Sequence, residues 1–241
     1  ADWLAPLLKD PLRSVRGEAA RALADVEAAL PATTRPAYDA ALAEYVGRQR
    51  GLADRADAWL NLGALHADQG DLEAAEEAYE QALVVDPDFV PVRFNLATLY
   101  NASGRNDEAQ RMLREILGRR PESGEAHYSL GLLLAELEQY GDAAASLDRA
   151  AGLMPGRPRI HYNRALVLQR LGRHPDAQAA LEEGIRLDPS DVRAIQALAL
   201  LHLERRHYAE ARRWARRLVE LTQNAPDARA LLDHVERASA R

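Results

Sequence analysis

The chain has 241 residues, a formal net charge of −6, 47% hydrophobic and 5% aromatic residues, and no cysteine. The apolar content suffices for a continuous core, and the missing thiol excludes disulfides, thiolate metal centres and CxxCH haem attachment within these residues. No stretch approaches the ~18 consecutive apolar residues of a membrane-crossing helix, so membrane insertion is not expected.

Residues 1–27 are predicted to form two short helices broken at Asp10-Pro11, proline being tolerated in a first turn. The second, from Leu12 to about Glu27, places Val15, Ala19, Ala22, Leu23 and Val26 on one face. Residues 28–55 open with a polar turn in which Thr33 or Thr34 can cap a helix with Pro36 in its first turn. That helix reaches about Leu52, with Tyr38, Ala41, Leu42, Tyr45 and Val46 at helical spacing. It is expected to cover the exposed end of the helices that begin at residue 56.

From residue 56 the sequence repeats. Alanine recurs at 75, 109, 143, 177 and 211; Gly63, Ala97, Gly131, Ala165 and Ala199 keep the same step of 34, as do Pro87, Pro121, Pro155 and Pro189. A period of 34 is the length of a two-helix unit too small to bury its own apolar face. The units are 56–89, 90–123, 124–157, 158–191 and 192–225, each read as helix A, a tight turn, helix B and a proline-marked turn. Gly70, Gly104 and Gly172 stand at the A-to-B turn, where a left-handed residue ends a helix. Asp86-Pro87 and Asp188-Pro189 close helix B, because the residue before proline is pushed out of helical geometry. Residues 226–241 are read as a capping helix with Leu231, Leu232 and Val235 on one side.

These repeats resemble the tetratricopeptide repeat (TPR) family. The first carries Trp59, Leu62, Gly63, Ala75, Tyr79, Ala82 and Pro87 where the family places its signature; the fourth departs at Arg164 and Gly184, the fifth at Ala215 and Gln223. The resemblance implies an all-α superhelical solenoid, non-catalytic, that binds a protein or peptide partner. Asp10-Pro11, Val15-Arg16, Ala19-Ala20 and Ala22-Leu23 resemble the second helix of a HEAT repeat. A HEAT edge, a linking helix and TPR units in that order is similar to the carboxyl-terminal half of bacterial multihaem c-type cytochromes. On that likeness the chain is a periplasmic spacer or docking arm of a larger fusion, with Trp3, Leu4, Leu7 and Leu8 lacking part of their cover. Otherwise it is a cytoplasmic adaptor, or the substrate-recruiting region of a transferase. No export signal is read at the amino end.

In TPR arrays the A helices line a concave groove, and the sixth repeat position faces into it. Here that position reads Asn61, Asn95, Ser129, Asn163 and Ala197, with Phe94, Tyr128 and Tyr162 preceding three of them. This resembles the asparagine ladder by which some members hold an extended peptide, and a carboxamide does match a peptide's N–H and C=O. The rival reading is inherited family consensus. Arg159 and Arg170 are candidates for an acidic ligand at the fourth unit, with solvated surface charge as the alternative.

Charge is uneven. The first unit holds nine acidic residues and no Lys or Arg, the fifth seven arginines against three glutamates. Head-to-tail self-association is one reading of this asymmetry. Nucleic acid is not expected, since the whole chain is acidic and no aromatic platform is read beside the arginines. His127 and His161 fall at equivalent positions of adjacent units and are read as framework. Neither a metal set nor a phosphate loop nor a nucleophile motif is found, and no cofactor or catalysis is expected.

Overall fold

A computed structural model describes residues 3–240. Among these residues there is no strand. A 3-10 turn at Ala5–Lys9 precedes α1 (Arg13–Arg21), and a second at Ala24–Ala29 precedes α2 (Arg35–Arg50). Five helix pairs follow: α3 (Ala56–Asp68) with α4 (Leu72–Val85), α5 (Val90–Ala102) with α6 (Asn106–Arg119), α7 (Gly124–Glu136) with α8 (Tyr140–Leu153), α9 (Pro158–Arg170) with α10 (His174–Leu187), and α11 (Val192–Glu204) with α12 (Tyr208–Leu221). Helix α13 (Pro226–Ser239) ends the series. The chain divides into two compact units, residues 1–113 and 114–241.

In the first unit, α1 is shorter than its periodicity suggests. It stops at Arg21, and the chain tightens into the 3-10 turn rather than running helical to Glu27. Packing decides this: Leu23, at 1% exposure, and Leu30 close over Tyr38 together with Leu8, Ala19, Ala20 and Ala41. Leu8 is thus covered, contrary to expectation, whereas Trp3 and Leu7 are exposed as expected. Two turns further along α2, Tyr45 packs with Ala24 and with Leu65 of α3. Arg105, at the end of the α5–α6 turn, ties the first helix pair to the second. Its guanidinium donates to Glu76 at 2.6 and 2.9 Å and to Glu108 at 2.7 Å, while lying 4.3 Å from the centre of the Tyr100 ring. Tyr100 also donates to Glu76 at 3.0 Å; burial and that carboxylate push its phenol up to about 12.

The 34-residue rows have a common physical cause, which is close approach of helix A to helix B. Ala75, Ala109, Ala143, Ala177 and Ala211 are all fully buried. A Cβ added to Gly63 would lie 2.4 Å from the Tyr79 ring, and one added to Gly131 would lie 2.7 Å from Leu147 Cγ. Only a small residue fits there. In the second unit the α12 side of Ala211 and Ala215 is covered by Val235 of α13, with Leu231 and Leu232 around it.

The A-to-B turns are left-handed. Gly70, Gly104 and Gly172 have φ of 79°, 73° and 71°, and Glu138 and Arg206 take the same place with φ of 58° and 59°. The turns that lead into helix A carry a second device in the first four repeats. At the fourth position of successive units, Trp59 Nε1 donates to the Ala53 carbonyl at 2.9 Å and Arg93 to the Pro87 carbonyl at 2.5 Å. His127 and His161 donate through Nε2 to the carbonyls of Pro121 and Pro155 at 3.0 and 3.1 Å. A carbonyl only accepts, so both histidines carry their proton on Nε2.

Candidate functional site

The A-helix row is half-buried throughout. Asn61, Phe94 and Asn95 belong to the first unit, and Tyr128, Ser129, Tyr162 and Asn163 to the second; all seven are partly exposed. Their flanks are buried: Leu62 and Leu96 beside the first two asparagines, Leu130 after Ser129, His161 and Ala165 around Asn163. The backbone under the row is therefore held, and its polar side chains stand at the margin between core and solvent.

Each asparagine is already tied to the framework through its amide nitrogen. Asn61 donates to Gln49 Oε1 at 3.4 Å, and Asn95 to the Tyr79 hydroxyl at 3.2 Å. Asn163 donates to the Tyr128 hydroxyl at 2.6 Å, a bond between successive A helices α7 and α9. Burial raises the Tyr79 phenol, and the bond from Asn95 partly offsets this. A carboxamide has two N–H donors and an acceptor oxygen, so each rung keeps its oxygen and one N–H for a further partner.

The aromatic members differ in setting. The Tyr162 ring is faced by the guanidinium of Arg193 on α11, 5.3 Å from its centre. Tyr128 is oriented by its bond to Asn163. Arg159 and Arg170 are not brought together: they stand at opposite ends of α9, both exposed. Eleven residues at ~1.5 Å each put them roughly 16 Å apart, too far to grip one carboxylate. Arg164, the departure from consensus, faces Asp148 of α8 and pairs with it.

The expectation that no aromatic accompanies the arginines of α12 is corrected by the structure. Trp214 lies between Arg213 and Arg217, whose guanidinium carbons are 5.3 and 5.6 Å from its ring centre. The signal was in the sequence, since Trp214 stands three residues before Arg217, a spacing that brings side chains together on a helix. His127 and His161 face their own turns and not each other. Among the described residues, no cluster of three His, Cys, Asp or Glu is placed to hold a metal ion. No described helix is long and apolar enough to cross a membrane.

Comparison with known proteins matches the tetratricopeptide repeat family at residues 66–133 and, by a second description of the same repeat, at residues 16–88 and 162–234. Among curated proteins, none matches the chain. Similar solved structures include MamA, 26% identical over 70% of this chain and 92% of that one, with a TM-score of 0.64. YrrB, described as a TPR protein with an unusual peptide-binding site, is 21% identical over 76% of this chain and 93% of its own, with a TM-score of 0.63. Yeast Tom70 is 17% identical over 93% of this chain and 47% of its own, with a TM-score of 0.65. With the repeat matched over most of its length and the helix pairs in place, the chain belongs to the tetratricopeptide repeat family.

Proposed function

We propose that this chain is a non-catalytic protein-binding scaffold whose A-helix row takes an extended segment of a partner. The observation that carries this reading is the set of asparagine carboxamides: in each, an amide N–H is bonded inward, leaving the oxygen to accept a peptide N–H. Packed helices generally lie ~10 Å apart and an extended chain advances ~3.4 Å per residue, so within either unit neighbouring rungs would meet about every third peptide residue. Phe94, Tyr128 and Tyr162 lie beside the rungs, where side chains of the ligand can pack. YrrB, of the same fold, is described as having a peptide-binding site.

At a net ~1 kcal/mol per hydrogen bond, three rungs give ~3 kcal/mol. Millimolar affinity already needs about 4 kcal/mol, so side-chain contacts must supply the rest. The rival reading is a spacer whose asparagines serve only the framework bonds to Gln49, Tyr79 and Tyr128. Peptides selected on the native chain from a display library separate the two. Binding lost in the triple variant Asn61→Ala/Asn95→Ala/Asn163→Ala supports the groove; selected peptides bound equally by that variant, or no peptide selected at all, refute it.

A further inference from the structure

The first and fifth repeats carry opposite charges at equivalent positions of helix B. Glu77 and Arg213 are four repeat steps apart, and so are Glu80 and Arg216. On α4, Glu73, Glu77 and Glu80 are exposed and form no ion pair with a described residue. The unit's other acids are more committed: Asp57 pairs with Arg55, Asp68 with Arg21, Glu76 with Arg105, and Asp71 caps α4. On α12, Arg213 makes no ion pair with a described residue, and Arg216 approaches Glu236 at only 3.7 Å. Arg217 is held by the Pro189 carbonyl at 2.8 Å.

Each surface also has an aromatic floor and apolar neighbours. Glu77 and Glu80 line an open cleft of about 640 Å³ with Trp59, His66 and Arg50. A guanidinium entering there meets an indole and two carboxylates, the pairing that arginine's flat, weakly hydrated head suits. On α12, Trp214 sits between two arginines beside Leu221, which is 41% exposed; at the end of α4, Val84 is 73% exposed. Each surface also carries opposing charge, Arg50 at the cleft and Glu210 and Glu220 on α12, so the contact is weak rather than tight.

We infer that the chain binds a second copy of itself, the Arg213–Arg216 face of one molecule docking on the Glu77–Glu80 face of another. The occupant follows from complementarity. The first repeat has no Lys or Arg, the fifth carries a formal excess of four positive charges, and every molecule brings both. The contact joins unlike surfaces and is therefore heterologous. Its charges stand on the B helices and it includes none of the asparagines of the A-helix row, so it does not depend on the groove reading.

Sedimentation velocity on the whole chain tests this. Between ~0.1 M and ~1 M salt the screening length falls from about 10 Å to about 3 Å, and association at the lower salt is expected to vanish at the higher. The variants Glu77→Arg/Glu80→Arg and Arg213→Glu/Arg216→Glu should each weaken self-association by about tenfold or more. Mixed in equal amounts, they should associate again, because the reversed face of one complements the other. The variant Asn61→Ala/Asn95→Ala/Asn163→Ala should associate as the native chain does. A chain that stays monomeric at low salt overturns the inference, as does association that persists at ~1 M salt or a mixture of the two folded variants that fails to associate. Should a reversal unfold the chain by circular dichroism, Glu77→Gln/Glu80→Gln and Arg213→Gln/Arg216→Gln take its place, each expected to weaken association; native-like association in either neutral variant refutes the contact.

Discussion

Arg217 of α12 donates to the Pro189 carbonyl at 2.8 Å and fills, from a different helix, the role that His161 plays toward Pro155 one repeat earlier. The fourth position of the last repeat is Ile195, which has no donor, and it is fully buried. The turn carbonyl before helix A is thus satisfied in each repeat, by tryptophan, arginine, histidine, histidine and finally the arginine of α12. A polar group left at such a turn without a partner costs more than the bond itself contributes. These bonds fix where each helix pair begins, and through that the placement of the A-helix row.

Loss of this bond should cost more where it is buried. His161 is 7% exposed, whereas His127 is partly exposed and water can replace it. Replacing His161 by Ala is expected to destabilise the fold by about 2–3 kcal/mol, adding a cavity to an unmet carbonyl, and replacing His127 by about 1 kcal/mol. Urea denaturation of both variants measures the difference. Equal losses would show that the turn carbonyl is hydrated in both cases.

Close packing of helix A on helix B extends to the candidate site. A Cβ on Gly63 would strike the Tyr79 ring at 2.4 Å, and the Tyr79 hydroxyl is the acceptor for Asn95. Gly63→Ala is therefore expected to cost about 1–3 kcal/mol by overpacking and to displace the acceptor of a rung. Gly47, in α2, has nothing within 4 Å of its added Cβ, so Gly47→Ala should stabilise by roughly 1 kcal/mol from helix propensity alone. Thermal melts of the pair should move in opposite directions.

Glu138 takes φ of 58° at a turn where three other repeats have glycine. Left-handed geometry costs a residue with a Cβ about 1–2 kcal/mol, and glycine's greater freedom in the unfolded chain costs about 0.4–1 kcal/mol. The strain is the larger of the two. Glu138→Gly should raise the melting temperature, and a lower one would mean that the side chain repays its strain through contacts of its own.

Stability should also depend on pH through His202, which is 3% exposed with a buried Nδ1 that meets no protein partner. Burial lowers its pKa; Glu210 and Glu182 oppose the shift, while His207 and Arg205 add to it. Between the depressed folded value and the ordinary value near 6.5 the unfolded chain binds more protons, so stability falls as pH drops through that window and is complete above it. Unfolding free energies from pH 7.5 to 5 should show this slope, and His202→Leu should flatten it. An unchanged slope in the variant would assign the effect to other groups.

The repeat was legible because its cause is local. Gly63 and Gly131 answer to a ring or a leucine on the partner helix at fixed spacing, and Gly70, Gly104 and Gly172 to a backbone sign. Other features depend on residues far apart in sequence. The halt of α1 at Arg21 follows from Leu23 and Leu30 meeting Tyr38, which no periodicity within α1 encodes. The bond from Asn163 to Tyr128 joins two helices, so a row of asparagines alone cannot tell a free rung from one already tied inward. The turn donors Trp59, Arg93, His127 and His161 do fall in one row of step 34; their unlike chemistries hide a shared N–H.

That tie gives the sharpest test of the groove. Asn163 spends an N–H on the Tyr128 hydroxyl and keeps its oxygen. An aspartate there can keep the inward bond with its direction reversed, the tyrosine now donating, and still accept a peptide N–H. An alanine loses both. For a peptide selected on the native chain, Asn163→Asp should retain affinity within about threefold, while Asn163→Ala should lose roughly fivefold, the equivalent of ~1 kcal/mol for one bond. Calorimetric titration reads both. If aspartate fails as alanine does, the rung serves the ligand as a donor rather than an acceptor, and the free amide N–H is the group that matters.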